Sequence, residues 1–172
     1  MLGSYKFSFL PWFLKNLGIY GNYTFTRSEA YVYKRTPANE YTRYVINSTY
    51  TDPKLKDPSA TEKLKSMPGQ AEHNANLSLF YEGDRLYAKL SANYQSDFLY
   101  SLGLEKDFDE YYAASLHLDF NAHFKITKSI KVFADVLNLT NTPLVYFQNN
   151  RNYILKREYY SWTARIGLKL NF

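Results

Sequence analysis

Apolar and polar side chains alternate one for one along most of this chain, the period of an extended strand with one face against an apolar environment. From Tyr160 to Phe172 the even positions are Tyr160, Trp162, Ala164, Ile166, Leu168, Leu170 and Phe172, and between them stand Ser161, Thr163, Arg165, Gly167, Lys169 and Asn171. Ala114, Leu116, Leu118, Phe120, Ala122 and Phe124 oppose Ser115, His117, Asp119, Asn121 and His123 in the same way. The division recurs at 17–26, 74–81, 86–95 and 130–137, with a shorter copy at 5–9. It predicts seven antiparallel strands near residues 4–10, 17–33, 73–82, 86–97, 112–126, 130–139 and 157–172, neighbours in sequence being neighbours in the sheet. No stretch of 11 or more residues carries an apolar stripe at helical spacing, so no substantial helix is expected.

The links between these segments alternate in length. Short ones near 11–16, 82–85 and 127–129 take turns with long ones near 27–72, 98–112 and 140–156. A soluble sandwich has no reason to gather its long loops at one end, whereas an outer-membrane barrel joins its strands by short periplasmic turns and long external loops. The first long loop carries Pro37, Pro53, Pro58 and Pro68, which break strands. No boundary or low-complexity tract divides the 172 residues, which read as a single unit, 1–172.

Composition narrows the picture. With 45% hydrophobic residues the chain can bury a core, and with no cysteine it has no thiolate metal site or thiol nucleophile. The longest near-apolar run, Phe9 to Leu14, has six residues, far short of the roughly 18 needed for a membrane-spanning helix. Membrane-spanning β-strands remain open, because they alternate lipid-facing and lumen-facing residues. The net charge of +5 is not gathered into a nucleic-acid face: eight of 21 basic residues lie between Arg27 and Lys65, mixed with Glu29, Glu40, Asp52, Asp57 and Glu62. No nucleic-acid partner is expected. The opening residues lack a basic segment followed by an apolar one, so no secretory leader is read there.

Aromatic residues make up 19% of the chain and bunch at strand ends. Ten positions separate Trp162 from Phe172, about 33 Å along a strand, which at a tilt of about 40° projects to roughly 25 Å, the height of an apolar band between two aromatic girdles. Tyr94, Phe98, Tyr100, Tyr111, Tyr112, Tyr159 and Tyr160 are expected at the outer interface, and Trp12, Phe13, Tyr81, Phe124 and Phe172 at the inner one.

Four stretches resemble a known family. They are Leu10-Pro11-Trp12-Phe13-Leu14 leading to Asn22-Tyr23-Thr24; Met67-Pro68-Gly69-Gln70 before Asn76-Leu77-Ser78-Leu79; Val132-Phe133-Ala134-Asp135-Val136-Leu137-Asn138-Leu139-Thr140-Asn141; and the terminal strand ending in Phe172. Together they resemble the C-terminal part of the TonB-dependent outer-membrane receptors. The resemblance implies an antiparallel up-and-down transmembrane barrel segment of about seven strands, the last third of a 22-stranded barrel. The family's plug domain is absent from the sequence. It further implies a receptor that takes scarce nutrients (siderophore-, cobalamin- or glycan-type ligands) across the outer membrane of a Gram-negative bacterium, the segment alone not being transport-competent. Implied partners are the lipid bilayer, the remaining strands and plug of the parent receptor, TonB through the missing N-terminal region, and the barrel-assembly machinery. Phe172, Leu170 and Leu168 look like the signal that this machinery reads.

Candidate site residues follow from position. Tyr31, Tyr33, Arg35, Tyr41, Arg43 and Tyr44 form a candidate ligand-contact group in the first long loop, since tyrosine binds with little entropic loss. His117, Asp119, Asn121, His123 and Arg165 are expected on the polar, lumen-facing side. His117 and His123 lie roughly 20 Å apart along one strand and cannot share an ion, and Ser115, His117 and Asp119 project in parallel, unlike a hydrolytic triad. No catalysis, metal or cofactor is expected. Two further readings stay open: a small autonomous outer-membrane barrel acting as an adhesin or structural anchor, and a soluble antiparallel barrel that binds a ligand.

Overall fold

The computed structural model describes residues 2–33, 35, 61–64 and 66–170. The protein is all-β and antiparallel, and among the described residues it has no α-helix. Its strands in chain order are β1 (Leu2–Lys6), β2 (Leu17–Phe25), β3 (Ala30–Tyr33), β4 (Thr61–Leu64), β5 (His73–Glu82), β6 (Leu86–Gln95), β7 (Phe98–Ser101), β8 (Glu110–Tyr112), β9 (Ser115–Lys125), β10 (Ile130–Leu137), β11 (Leu144–Gln148), β12 (Ile154–Glu158) and β13 (Thr163–Leu170). The main sheet runs β1-β2-β5-β6-β9-β10-β13, a meander in chain order once the loop strands are set aside. A second sheet runs β12-β11-β8-β7, and β3 pairs with β4 alone.

Short links turn tightly. Residues Trp12–Asn16 form one 3-10 turn between β1 and β2. Between β9 and β10 the hydroxyl of Thr127 accepts the backbone N–H groups of Ser129 and Ile130 at 3.2 and 3.1 Å, satisfying donors that a turn would otherwise leave open.

Several expected strands are divided. The one expected over 17–33 stops at Phe25, because its partner β5 begins at His73, directly opposite Phe25; beyond it Ala30–Tyr33 pairs with Thr61–Leu64. That expected over 112–126 begins at Ser115, since the Ala113 N–H leaves the main ladder for the Val145 carbonyl at 2.9 Å. The last expected strand starts at Thr163: residues 154–158 belong to the second sheet, and Ser161 has a φ of 63°. Long links near 98–112 and 140–156, expected as loops, thus fold into β7, β8, β11 and β12. Their short apolar runs pair with each other across the loops, a long-range choice that local alternation does not reveal.

In the main sheet several large apolar side chains are exposed while serines of the opposite face are buried. Ile166 and Leu168 are 80% and 65% exposed, and Leu77, Leu79, Leu90, Leu116 and Leu170 are exposed as well. On the opposite face the serines Ser78 and Ser91 are only 6% and 8% exposed, and their hydroxyls share a hydrogen bond at 2.9 Å. Among the described residues the buried apolar side chains are Leu64, Ala71, Leu99 and Phe147, all outside the main sheet. The dry core therefore lies under the loops.

Aromatic side chains divide between the two faces of the second sheet. Tyr146 meets Tyr100 and Tyr112 edge-on, at 5.0 and 5.3 Å between ring centres, while Phe98 stacks on Tyr112 at 5.2 Å. Tyr111, placed by sequence beside Tyr112 in the outer girdle, is instead stacked on buried Phe147 at 5.4 Å. Adjacent strand residues point to opposite faces, so Tyr111 and Tyr112 cannot share one girdle.

Candidate functional site

Strand register assembles a continuous polar wall. Asn22, Asn76 and Asn93 fall opposite one another across β2, β5 and β6, with His117 next in line on β9. Asn76 donates to the Asn22 side-chain oxygen at 2.7 Å. One further row contains Lys89, Asn121, Asp135 and Arg165. These side chains, with Ser91, Asn93 and Asp119, line a cleft of about 450 Å³.

Two carboxylates organise the wall. Asp119 accepts the backbone N–H of Asn138 at Oδ1, 2.9 Å, and the Asn93 amide at Oδ2, 2.7 Å. Asp135 accepts the Asn121 amide at Oδ1 and Arg165 Nη2 at Oδ2, the latter at 3.2 Å. Four of the five residues expected on this side thus enter two clusters: His117, through a 3.3 Å bond to Asn138, with Asp119, and Asn121 and Arg165 around Asp135. His123 stands apart, stacked on Tyr87 with ring centres 4.9 Å apart. Each oxygen of both carboxylates accepts one hydrogen bond from a neighbouring group, which fixes the orientation of both side chains in the wall.

The Asn138-Leu139-Thr140-Asn141 sequence has a local cause. Asn138 and Asn141 take φ values of 55° and 49°, the left-handed region that asparagine tolerates better than most residues. Asn138 Oδ1 accepts the Thr142 N–H at 2.9 Å, and the Thr142 hydroxyl donates to the Leu116 carbonyl at 2.7 Å. The motif therefore ends β10 and fastens the following link to β9.

A second cleft, about 680 Å³, opens beside the loops and is lined by residues that include Arg27, Glu29, Arg35, Lys63, His73, Tyr94 and Tyr111. At its wall lies an ion cluster that sequence reasoning missed. Arg35 Nη1 and Nη2 grip both oxygens of Asp109, the second at 3.0 Å, and Arg35 Nε donates to Glu62 at 2.6 Å. Arg35 and Asp109 side chains are 6% and 4% exposed. Burial works to lower the Arg35 pKa, but the Asp109 and Glu62 carboxylates raise it above its ordinary value. Burial, followed by the negative charge of Asp109, pushes the Tyr111 phenol up. At the exposed rim Lys63 holds Glu29 at 2.5 Å and, first through that hydrogen bond, keeps its carboxyl below the usual range.

Arg35, expected among the ligand-contact residues, spends its charge inside the protein and ties the first long loop to Asp109. Tyr31 is exposed in β3, and the Tyr33 backbone closes the same strand. Tyr41, Arg43 and Tyr44 lie outside the described residues, as does Phe172; Leu168 and Leu170 are exposed in β13. No local pattern marks Asp109 as Arg35's partner, since 74 residues separate them.

Fold and polar wall define an antiparallel all-β protein. Set against protein-family models, curated proteins and solved structures, the chain matches none.

Proposed function

We propose that this chain is a section of an outer-membrane β-barrel of the TonB-dependent receptor kind, its apolar face against lipid and its polar wall facing a lumen through which a scarce nutrient passes. One observation carries the reading: the main sheet leaves leucine and isoleucine exposed while closing in serine, asparagine and aspartate. In water that arrangement forgoes the hydrophobic gain of burying each exposed side chain, about 1.5–3 kcal/mol apiece. Against hydrocarbon the same face is at home, and the inner strands satisfy their backbone polar groups on both sides within the sheet. A soluble barrel would reverse the two faces.

Among the described residues the two edge strands, β1 and β13, each pair on one side. In hydrocarbon such edges require further strands, which makes the seven-stranded sheet part of a wider barrel, without transport activity by itself. In this reading the protein resides in a Gram-negative outer membrane and is inserted there by the barrel-assembly machinery. It performs no catalysis; the loops at the long-link end contribute ligand contacts. The test pairs two substitutions at similar depth on opposite faces. Ile166→Arg is expected to cost about 2–4 kcal/mol of folding stability in lipid and Asn121→Arg far less. Equal costs at both positions contradict the assignment.

A further inference from the structure

On the polar face, at the short-turn end of the main sheet, Lys131 lies directly opposite Lys125 on one neighbour and Lys169 on the other. Lys125 and Lys169 are exposed and Lys131 half-exposed. None of the three forms an ion pair among the described residues. Two carboxylates among the described residues of the main sheet have other partners: Glu82 holds Lys6 at 3.4 Å and Asp135 holds Arg165. Asp84, in the adjoining turn, reaches none of them, and the turns add Arg85 and Lys128 to the same end.

Like charges placed directly opposite on neighbouring strands repel and weaken a sheet. Three in one row, about 10 Å across at the strand spacing, form a line of positive charge with no ion-pair partner among the described residues. Two residues further along the strands runs a row of different chemistry, Tyr87, His123 and Phe133, with Phe133 lying over Gly167. A line of cations thus borders an aromatic shelf about 7 Å away.

We propose that this end of the polar face docks an acidic stretch of polypeptide in extended form, its carboxylates on Lys125, Lys131 and Lys169 and its apolar side chains on the Tyr87–His123–Phe133 shelf. Alternate carboxylates of an extended chain stand about 7 Å apart, so two or three of them span the lysine row while the residues between face the other way. A single small anion neutralises at most part of the row and leaves the shelf unused. The row exists whether or not the opposite face meets lipid, so its occupant is a separate matter from the membrane reading.

The experiment measures binding of a fluorescein-labelled peptide of alternating Glu and Tyr to the whole chain in neutral detergent, by anisotropy. Binding is expected to saturate, to weaken about tenfold when Lys125, Lys131 and Lys169 are all changed to Gln, and to survive Lys15→Gln, an exposed lysine in another turn. Zero-length carbodiimide cross-linking of the unaltered protein, read by mass spectrometry, is expected to join peptide glutamates to these three lysines. That readout holds even if the triple variant does not fold. Absence of binding, an unchanged affinity in a folded triple variant, or cross-links at other lysines overturns the proposal. Displacement of the peptide by inorganic phosphate at equal charge also overturns it, in favour of a small-anion site.

Discussion

Asp119 accepts the backbone N–H of Asn138 at 2.9 Å, and through that bond the neighbouring strand β9 determines where β10 ends. The same carboxylate holds Asn93 on β6, so one side chain joins three elements of the polar wall.

Replacing Asp119 with Ala leaves the Asn138 N–H and the Asn93 amide without their acceptor in a half-buried wall. A loss of about 1–3 kcal/mol is expected, read from urea unfolding in detergent or lipid. Asp119→Asn retains one acceptor oxygen and is expected to lose less. An Ala variant as stable as the unaltered protein contradicts the role assigned to Asp119.

Removing Arg35 strands a buried carboxylate. Arg35→Met is expected to cost about 3–5 kcal/mol in local stability, whereas Arg35→Met combined with Asp109→Leu is expected to recover most of it. Limited proteolysis of the first long loop reads the effect: rapid cleavage in the single variant and protection in the double. Equal cleavage in both shows that the ion pair does not hold the loop.

How much of this was legible in the sequence depends on the range of the interaction. Alternation is local, so the antiparallel all-β character and the two faces of 115–125 and 163–170 were visible without coordinates. Asn138 was conspicuous as part of a motif, but the reason for it, a left-handed residue bonded to Asp119, required the register. Loop strands such as Leu144–Gln148 escaped notice because their partners lie across other loops. The Arg35–Asp109 pair was equally hidden: each residue looks like an ordinary surface charge until the fold buries them together.

Glycine at position 167 makes room for a ring. A Cβ added there would lie 2.6 Å from the Phe133 Cζ. Gly167→Ala is therefore expected to displace the end of the Phe133 ring and weaken the β10–β13 pair by about 1 kcal/mol or less, and Phe133→Leu in the same chain to remove that loss. Amide exchange in β13 measures both. Additive effects of the two changes would show that ring and glycine are not coupled.

Acid weakens two surface contacts at the loops. Glu29 is held below the ordinary 4.5 first by the hydrogen bond from Lys63, and Glu158 by those from Lys156 and then Tyr160. Because these folded-state values are lowered, each contact contributes its stability above pH 4.5 and loses it as the pH falls through the lowered value. Carboxyl-carbon NMR titration is expected to give midpoints below 4.5 for both, with Lys63→Met returning Glu29 alone to its ordinary value. Midpoints at or above 4.5 contradict the pairings.

The central claim, that one face of the main sheet meets lipid and the other meets water, is tested most directly by nitroxide labels placed one at a time along Ser115–Lys125 in bilayers. Collision with oxygen, which concentrates in hydrocarbon, and with a water-soluble nickel chelate is measured at each position. The account predicts a period of two, with oxygen favoured at 116, 118, 120, 122 and 124 and the nickel chelate at 117, 119, 121 and 123. Labels at the even positions shielded from both reagents, or reached as readily by nickel as those at the odd ones, would contradict it.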